Sequence, residues 1–273
     1  MVTAYETLKY EEDGPIAWVT LNRPEVHNAF DFTMMQEIHS CWRSLRDNDD
    51  IRVIVLTGAG DKAFCTGVDR SAHVGNQEHI NDIGQRGGTP FHHNEPDDYL
   101  PPKTAGDLWK PMIVAVNGMA CAGGFYLLGE AEFIIASENA TFFDPHVTYG
   151  MATVMEAMMM HQRMPMGEIM RMSLMGARER MSAKRAYEVG LVQEVVPADQ
   201  LREAARWAAE VIAEQSPLAV QATVRALWYA QELGYRQALD VGKTLVMLGT
   251  DQDMLKEKQE VFKSGSRQSW RLR

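Results

Sequence analysis

Two glycine-containing segments of this chain have residues whose types and spacing suit the binding of a negatively charged oxygen. Residues 115–126 read Ala-Val-Asn-Gly-Met-Ala-Cys-Ala-Gly-Gly-Phe-Tyr, and they lead from an apolar strand-like run at 111–116 into a helix-like segment at 125–130. The first N–H groups of a helix have no partner inside the helix, and the helix dipole favours negative charge there. Such a turn either binds an anion or is simply a tight corner that requires glycine.

A second segment of the same kind lies upstream. Residues 62–69 read Lys-Ala-Phe-Cys-Thr-Gly-Val-Asp, and they follow a strand-like run at 52–57 and the turn Gly58-Ala59-Gly60. Each segment can give one backbone N–H to the same oxygen, which is the arrangement that stabilises an oxyanion. The pair of segments therefore favours an oxyanion hole over two unrelated corners, and we call 62–69 and 115–126 the oxyanion segments.

Along the chain around these two segments, predicted strands alternate with predicted helices. Alternation of this kind predicts a layered α/β fold. The strands are predicted at 5–11 and 16–22, joined as a hairpin, and at 53–56, 113–116, 133–136 and 141–143. A helix is predicted at 31–47, with Phe32, Met35, Ile38, Trp42 and Leu45 on its buried face. From Met181 onward the chain is predicted to be helical, at 182–189, 198–214, 218–232, 235–248 and 252–263.

Composition excludes several classes of protein. The chain has 273 residues and a formal net charge of −10, which argues against nucleic-acid binding. Its three cysteines are odd in number and have no CxxC spacing, so neither a disulfide framework nor a metal site is expected, and a reducing cytoplasm is predicted. No signal peptide is visible at the N-terminus, and the glycines and Asn117 within the apolar stretch 111–129 argue against a membrane span.

Five motifs in a fixed order resemble the crotonase superfamily, the enoyl-CoA hydratases and isomerases. They are Leu-Asn-Arg-Pro-Glu-Val-His-Asn-Ala at 21–29, Phe-Cys-Thr-Gly-Val-Asp at 64–69, Ala-Val-Asn-Gly at 115–118 with Gly123-Gly124, Ala-Thr-Phe at 140–142, and Ala-Tyr-Glu-Val-Gly-Leu-Val at 186–192. The resemblance covers nearly the whole chain. It implies a spiral of ββα units at 1–195, followed by a helical region at 196–273 that covers the active site and assembles homotrimers or hexamers.

The resemblance also implies an acyl-CoA thioester as substrate, with coenzyme A present only as part of that substrate and no separate cofactor. The N–H groups of Val68 and Gly123 are expected to polarise the thioester carbonyl and stabilise its enolate. The residues expected to bind the rest of the substrate are Gly67, Asp69 and Gly124 beside these donors, Val26 and Ala29 along the nucleotide, and Arg70, Phe262 and Lys263 as further CoA contacts, although the usual Lys-Arg pair is absent at 262–263.

The catalytic positions depart from the family pattern. Hydratases of the family use two glutamates, and the matching positions here are Tyr126 and His146. His146 is a candidate base because neutral imidazole accepts a proton near pH 7. Asp144 is predicted to share one face of an extended strand with His146, where it either fixes the imidazole tautomer or caps a turn. Glu156, at the start of a helical segment, is the alternative orienting carboxylate or an ordinary helix N-terminal charge.

The remaining side chains near these positions have competing interpretations. Tyr126 either donates to a developing enolate or is a core aromatic residue, and Glu130 lies one turn further on its face, where it can order the phenol. Cys65 and Cys121 flank the oxyanion segments but have no base beside them in sequence, so a thiol nucleophile is rejected. The methionine-rich stretch 151–175 is interpreted as a plastic core or subunit interface, and the polar segment 71–110 as a lid or substrate wall.

Three functions stay open at this point. The first is enolate chemistry of the enoyl-CoA hydratase/isomerase type with Tyr126 and His146 in place of the glutamates. The second is C–C bond hydrolysis of a β-dicarbonyl or cyclic acyl-CoA by histidine and a carboxylate. The third is binding of acyl-CoA without turnover, which the loss of both glutamates keeps open.

Overall fold

The computed structural model describes residues 5–70, 84–85, 93–265 and 269–272. The chain divides into two compact units, residues 1–212 and 213–273. Much of the predicted lid at 71–110 falls outside the described residues, so that interpretation stays a prediction. So does the functional division into 1–195 and 196–273. Among the described residues, none of the helices has the length and apolar character needed to cross a membrane.

The first unit is a mixed α/β fold, as predicted from the alternation of elements. Its larger sheet has six strands in the order β1-β2-β3-β7-β9-β12. β1 and β2 form the predicted antiparallel hairpin, and the other pairs in this sheet are parallel. The strands are β1 Leu8–Asp13, β2 Ile16–Leu21, β3 Val53–Gly58, β7 Met112–Val116, β9 Phe133–Ser137 and β12 Glu194–Val196.

A smaller sheet has four strands in the order β11-β10-β8-β4. These are β4 Ala63–Cys65, β8 Met119–Cys121, β10 Thr141–Phe143 and β11 Met181–Ser182. β4, β8 and β10 are parallel to one another, and β11 pairs with β10 antiparallel. The carboxyl ends of parallel strands meet at the same edge of a sheet, so the loops that leave β4, β8 and β10 come together. β5 Gly84–Gln85 and β6 His93–Asn94 form a separate two-stranded sheet.

The first helix shows why the sequence pattern produces these elements. α1 runs over Phe32–Asp47, and the Asp31 side chain caps it by accepting from the Met34 N–H at 2.9 Å. A cap of this type stabilises a helix by about 1 kcal/mol. The helix buries Met34, Met35, Ile38, Cys41, Trp42 and Leu45. Four of the five predicted face residues are therefore buried, whereas Phe32 packs only partly against the core.

The other helices follow the predicted order. Within 1–212 they are α2 Phe125–Gly129, α3 Met155–His161, α4 Met166–Met175, α5 Ala183–Glu188 and α6 Leu201–Ala213, the last of which ends at the first residue of the second unit. The second unit contains α7 Pro217–Glu232, α8 Tyr235–Gly249 and α9 Gln252–Lys263. In this unit α7 and α8 pack against each other. The positions of α7, α8 and α9 agree with the predicted helices to within about two residues at each end.

Candidate active site

The first candidate donor, Val68, is held in place by a bridge to Phe30 just after β4. The Phe30 N–H donates to Gly67 O, and the Asp69 N–H donates to Phe30 O, both at 2.8 Å. These two bonds use the carbonyl of Gly67 and the amide of Asp69, which lie on the same side of the extended backbone. The amide of Val68, which lies between them, therefore points to the opposite side. The backbone therefore directs the Val68 N–H away from Phe30.

The second candidate donor, Gly123, follows β8. It is the middle residue of a single 3-10 turn, Ala122–Gly124, whose first N–H groups have no partner inside the turn. Gly67 has a left-handed φ of +86°, and a methyl group built on it would lie 2.8 Å from the Gly123 amide nitrogen. A methyl group built on Gly123 would lie 2.5 Å from the Phe30 ring. The two segments thus approach so closely that only glycine fits at either position.

A network of buried polar side chains holds these loops, and its role was not found from sequence. Asn28, fully buried with φ +54°, donates to the carbonyls of Ala59 and Ala63 and accepts from the Arg23 N–H. The Arg23 guanidinium donates to Ala29 O at 2.6 Å and to the Asp69 carboxylate at 2.9 Å. The signal available was the mostly polar run at 22–28, Asn-Arg-Pro-Glu-Val-His-Asn, which lies between apolar residues. Asp69, predicted to bind substrate, is thus ion-paired to Arg23.

The Asn117 side chain holds the other loop in place by hydrogen bonds to backbone groups. Its side-chain nitrogen donates to the carbonyls of Gly60 and Ala63, and its oxygen accepts from the Gly58 N–H. One amide therefore ties the end of β7 to the turns after β3. Unpaired carbonyls at a buried position would each cost about 1–3 kcal/mol. Asn117 and Asn28 together fix the approach of the two oxyanion segments.

His146 lies at the exit of β10, and its imidazole contacts two carboxylates. The Nδ1 atom is 2.7 Å from Asp144 Oδ1, and Nε2 is 3.7 Å from Glu156 Oε1. Because a carboxylate only accepts hydrogen bonds, the contact with Asp144 places a proton on Nδ1. In the neutral ring Nε2 is then unprotonated, and in the cation it carries the second proton. Both carboxylates considered from sequence therefore meet the same ring.

The predicted geometry of Asp144 was wrong, although its contact with His146 is present. β10 ends at Phe143, and His146 begins a 3-10 turn, His146–Tyr149, so the two residues do not share a face of a strand. Instead Asp144 Oδ1 accepts from the backbone N–H of His146 at 2.9 Å and from the Thr153 hydroxyl at 3.0 Å. Asp144 therefore both caps the turn and orients the imidazole.

Glu156 belongs to a second pair, with Tyr126. The Glu156 carboxylate lies near the Tyr126 hydroxyl and acts on it electrostatically, and both side chains are largely buried. The predicted partner of Tyr126 was Glu130, and this was wrong. The Glu130 carboxylate accepts from the backbone N–H groups of Lys103 and Thr104, at 2.6 and 3.1 Å. Glu130 thus accepts two backbone N–H groups of a loop, whereas Glu156 lies near both Tyr126 and His146.

Burial and mutual contact shift the protonation of these groups. The hydrogen bond to Asp144 raises the pKa of His146 above its usual value, against the opposing effect of desolvation. Burial raises the pKa of Glu156, and burial together with the nearby Glu156 raises the pKa of Tyr126. Burial also raises the pKa of the thiols of Cys65 and Cys121 to about 12, so neither is a ready nucleophile.

The other predicted binding residues occupy different parts of the molecule. Val26 ends a 3-10 turn, Pro24–Val26, and accepts the Ala29 N–H at 3.1 Å. Gly124 lies beside Gly123, close to β4. The Arg70 guanidinium lies over the ring of Tyr149, 4.8 Å from its centroid. Phe262 and Lys263 lie at the end of α9 in the second unit, where Lys263 pairs with Glu260. Their roles in binding stay predictions.

Comparisons with known proteins agree with this architecture. A family model for enoyl-CoA hydratase/isomerase matches residues 11–271. An (E)-benzylidenesuccinyl-CoA hydratase from Thauera aromatica is 37% identical over 79% of this chain and 80% of its own length. A carnitinyl-CoA dehydratase from Salmonella typhi is 33% identical over 80% of this chain and 78% of its own length. A crystal structure of an enoyl-CoA hydratase/isomerase from Mycobacterium paratuberculosis is 33% identical, with a TM-score of 0.86 over 99% of this chain and 100% of that one.

The chain belongs to the enoyl-CoA hydratase/isomerase family, and its fold is that of the crotonase superfamily, as its motifs predicted. It is an acyl-CoA enzyme of that superfamily.

The close approach of Gly67 to the Gly123 amide should make turnover sensitive to any side chain added at Gly67. Gly67→Ala should force the Gly123 amide out of place and lower acyl-CoA turnover about 10²–10³-fold, the usual effect of losing one oxyanion donor. Gly14→Ala is the matched control, because Gly14 also has a positive φ, +57°, but has no atom within 4 Å of an added methyl group. Both variants should lose about 1 kcal/mol or more of stability to backbone strain. Turnover and denaturant unfolding are measured together, and a Gly67→Ala protein as active as Gly14→Ala would contradict the assignment of the donors.

Proposed function

We propose that this enzyme adds water to the double bond of an enoyl-CoA thioester and removes water from the corresponding 3-hydroxyacyl-CoA. The observation that carries the proposal is the contact of the His146 ring with Glu156 on one nitrogen and Asp144 on the other. Water addition needs one group that takes a proton from water and one that gives a proton to carbon. A histidine and a carboxylate that share one proton supply both.

In the hydration direction the reaction begins with the removal of a proton from water. Glu156 takes a proton from water, and the water oxygen bonds to C3 of the enoyl group. The π electrons move toward C2 and the thioester oxygen, whose negative charge is stabilised by the N–H groups of Val68 and Gly123. The Nε2–H of His146 then protonates C2. Transfer of the proton from Glu156 to Nε2, across the 3.7 Å that separates them, restores the starting state.

In the dehydration direction the same groups exchange roles. Neutral His146 removes the proton from C2, and protonated Glu156 donates to the departing hydroxyl group. The active form in both directions is a pair that carries one proton. Asp144 stabilises the imidazolium and fixes its tautomer, and the Tyr126 hydroxyl positions Glu156. Tyr126 and His146 thus occupy the places of the family's two glutamates, with Glu156 contributing the carboxylate.

The relatives support a reaction of this class. One is named as a hydratase and the other as a dehydratase, and each acts on an acyl-CoA. The proposed chemistry is complete with protein side chains and the thioester, so it requires no cofactor other than the CoA of the substrate. Val26, Ala29, Phe262 and Lys263 are the proposed contacts with CoA. Assembly into homotrimers or hexamers stays a prediction, which the many exposed methionines of α3 and α4 favour.

The test is hydration of a panel of enoyl-CoA esters in water labelled with oxygen-18. We expect one labelled oxygen in a 3-hydroxyacyl-CoA product, detected by mass spectrometry, and the reverse loss of water from that product. His146→Ala should abolish incorporation, whereas binding of the ester should persist because the oxyanion donors and CoA contacts are unchanged. Binding of all esters without turnover would support the non-catalytic alternative and contradict the proposal.

C–C bond hydrolysis is the second candidate, and the 2.7 Å contact between Asp144 and His146 favours it specifically. A histidine oriented by a carboxylate can activate water for attack on a carbonyl carbon, which does not require Glu156. A β-dicarbonyl or cyclic acyl-CoA would then be cleaved to a new carboxylate. Cleavage products from such esters, with no hydration of any enoyl-CoA, would favour this function over water addition.

A further inference from the structure

Arg70 lies beside the catalytic histidine although it is distant in sequence. Its guanidinium stacks over the ring of Tyr149, 4.8 Å from the centroid. Tyr149 follows His146 by three residues in the 3-10 turn His146–Tyr149. Side chains three residues apart eclipse one another in a 3-10 helix, so Tyr149 and His146 lie on one face of the turn. The stacking therefore brings the Arg70 charge to the side of the imidazole.

Arg70 is also tied to the oxyanion hole, because it follows Val68 by two residues. The titratable groups that face His146 are Asp144, Glu156 and Arg70, and of these only Arg70 is positive and lowers the pKa of the imidazole. Asp144 and Glu156 are both engaged with the ring. Arg70 is exposed, and within the described part of the chain no carboxylate pairs with it.

A guanidinium stacked on an aromatic ring keeps the N–H groups at its edge available. Those donors form a planar fork that matches a carboxylate in a bidentate pair. Tyr149 is 58% exposed, so the stacked pair can be reached by a ligand. Arg70 follows Val68 by two residues and Tyr149 follows His146 by three, so the stacked pair adjoins both segments that would hold the thioester. An acyl chain that extends beyond C2 is then within reach of the guanidinium.

We propose that Arg70 determines specificity by binding a carboxylate on the acyl group, so that the substrates are enoyl-CoA or 3-hydroxyacyl-CoA esters of dicarboxylic acids. The proposal rests on the function proposed above and narrows its substrate class. A guanidinium at this place can also bind a phosphate of CoA. The two roles differ in one respect, since a CoA contact affects all esters equally and an acyl contact affects only esters that carry the carboxylate.

The test compares glutaconyl-CoA with the methyl ester of its free carboxyl group, which differ only in that charge. For wild-type enzyme we expect the larger kcat/KM with glutaconyl-CoA. Arg70→Ala should reduce the ratio of the two kcat/KM values roughly ten- to hundredfold, the range for a lost hydrogen bond to a charged group. Arg70→Lys should keep part of the preference. Arg43→Ala, which removes an exposed arginine of α1, is the matched control and should leave the ratio unchanged.

An equal loss for both esters in Arg70→Ala would assign Arg70 to CoA and overturn the proposal, and an unchanged ratio would overturn it as well. If no enoyl-CoA ester of the panel, these two included, is hydrated by wild-type enzyme, the proposed function fails, but Arg70 is still tested by binding. Calorimetry with saturated glutaryl-CoA and its methyl ester should then show an affinity preference that Arg70→Ala removes. Equal affinities for the two esters in wild-type protein would contradict the role of Arg70.

Discussion

Replacing His146 with alanine should lower the rate of hydration and dehydration about 10²–10⁴-fold, the usual contribution of a general acid or base. The reason is that the ring both gives and takes the proton at C2 in the proposed reaction. His161→Ala is the matched control, because His161 is an exposed histidine at the end of α3. Steady-state kinetics should show the loss in kcat, with the affinity for the ester nearly unchanged.

The pH profile distinguishes a catalytic role from a structural one. The active pair carries one proton, so activity should fall at high pH when that last proton leaves. The hydrogen bond with Asp144 raises the pKa of His146, so this alkaline limb should lie above the usual histidine value of about 6.5. Asp144→Asn removes the charge that raises the pKa, and the limb should move to lower pH as the rate falls.

His161→Ala should keep the full profile of the wild-type enzyme. A His146→Ala protein that retains its rate, or an Asp144→Asn protein whose alkaline limb does not move, would remove these residues from the mechanism. A shift of the limb to higher pH in Asp144→Asn would contradict the assigned sign.

Replacing Glu156 with glutamine should have an effect of similar size. The amide is nearly isosteric with the carboxylate but cannot take a proton from water, so we expect a loss of about 10²–10⁴-fold. Burial raises the pKa of Glu156 above the ordinary glutamate value, and activity in the wild-type enzyme should therefore fall on the acid side as pH drops through that raised pKa. Glu156→Gln should abolish this acid limb. Glu138→Gln, at an exposed glutamate, is the matched control.

The double variant tests whether Glu156 and His146 act as a unit. Groups that act together lose nearly all of their contribution when either is removed. We therefore expect His146→Ala combined with Glu156→Gln to be only slightly slower than either single variant. Fully multiplicative losses would indicate two independent roles. A Glu156→Gln enzyme with wild-type activity, beside an inactive His146→Ala, would instead favour the mechanism that uses Asp144 and His146 alone.

Much of the fold could be predicted because the longer elements have local signals. The alternation of apolar residues marks the hairpin of β1 and β2, and the Asp31 cap with its apolar face marks α1. The short strand β8 is not apparent from the sequence, since Met119–Cys121 is too brief to show a period and resembles part of the turn. Its pairing with β4 and β10 is a tertiary property that three residues cannot reveal.

The candidate site was predictable only in part, for a related reason. The spacing of Asp144 and His146 suggested contact, but the contact arises from a capped turn and not from a strand. Helical spacing favours Glu130 as the neighbour of the Tyr126 hydroxyl. In the structure the Glu130 carboxylate is already occupied by the backbone of Lys103 and Thr104. Only the packing of α3 shows that Glu156 lies near Tyr126. Spacing along the chain cannot show which of two carboxylates on different elements packs against a given side chain.

The four-stranded sheet has a consequence for how this enzyme can diverge. The segments after β4 and β8 bring Val68 and Gly123, while the segment after β10 brings Asp144 and His146. In the proposed mechanism, activation of the thioester and proton transfer by His146 therefore depend on separate stretches of chain that meet at one sheet edge. Under that mechanism, substitutions after β10 change the proton-transfer groups and leave the backbone donors of Val68 and Gly123 in place, so a variant can lose or change its reaction and still bind acyl-CoA.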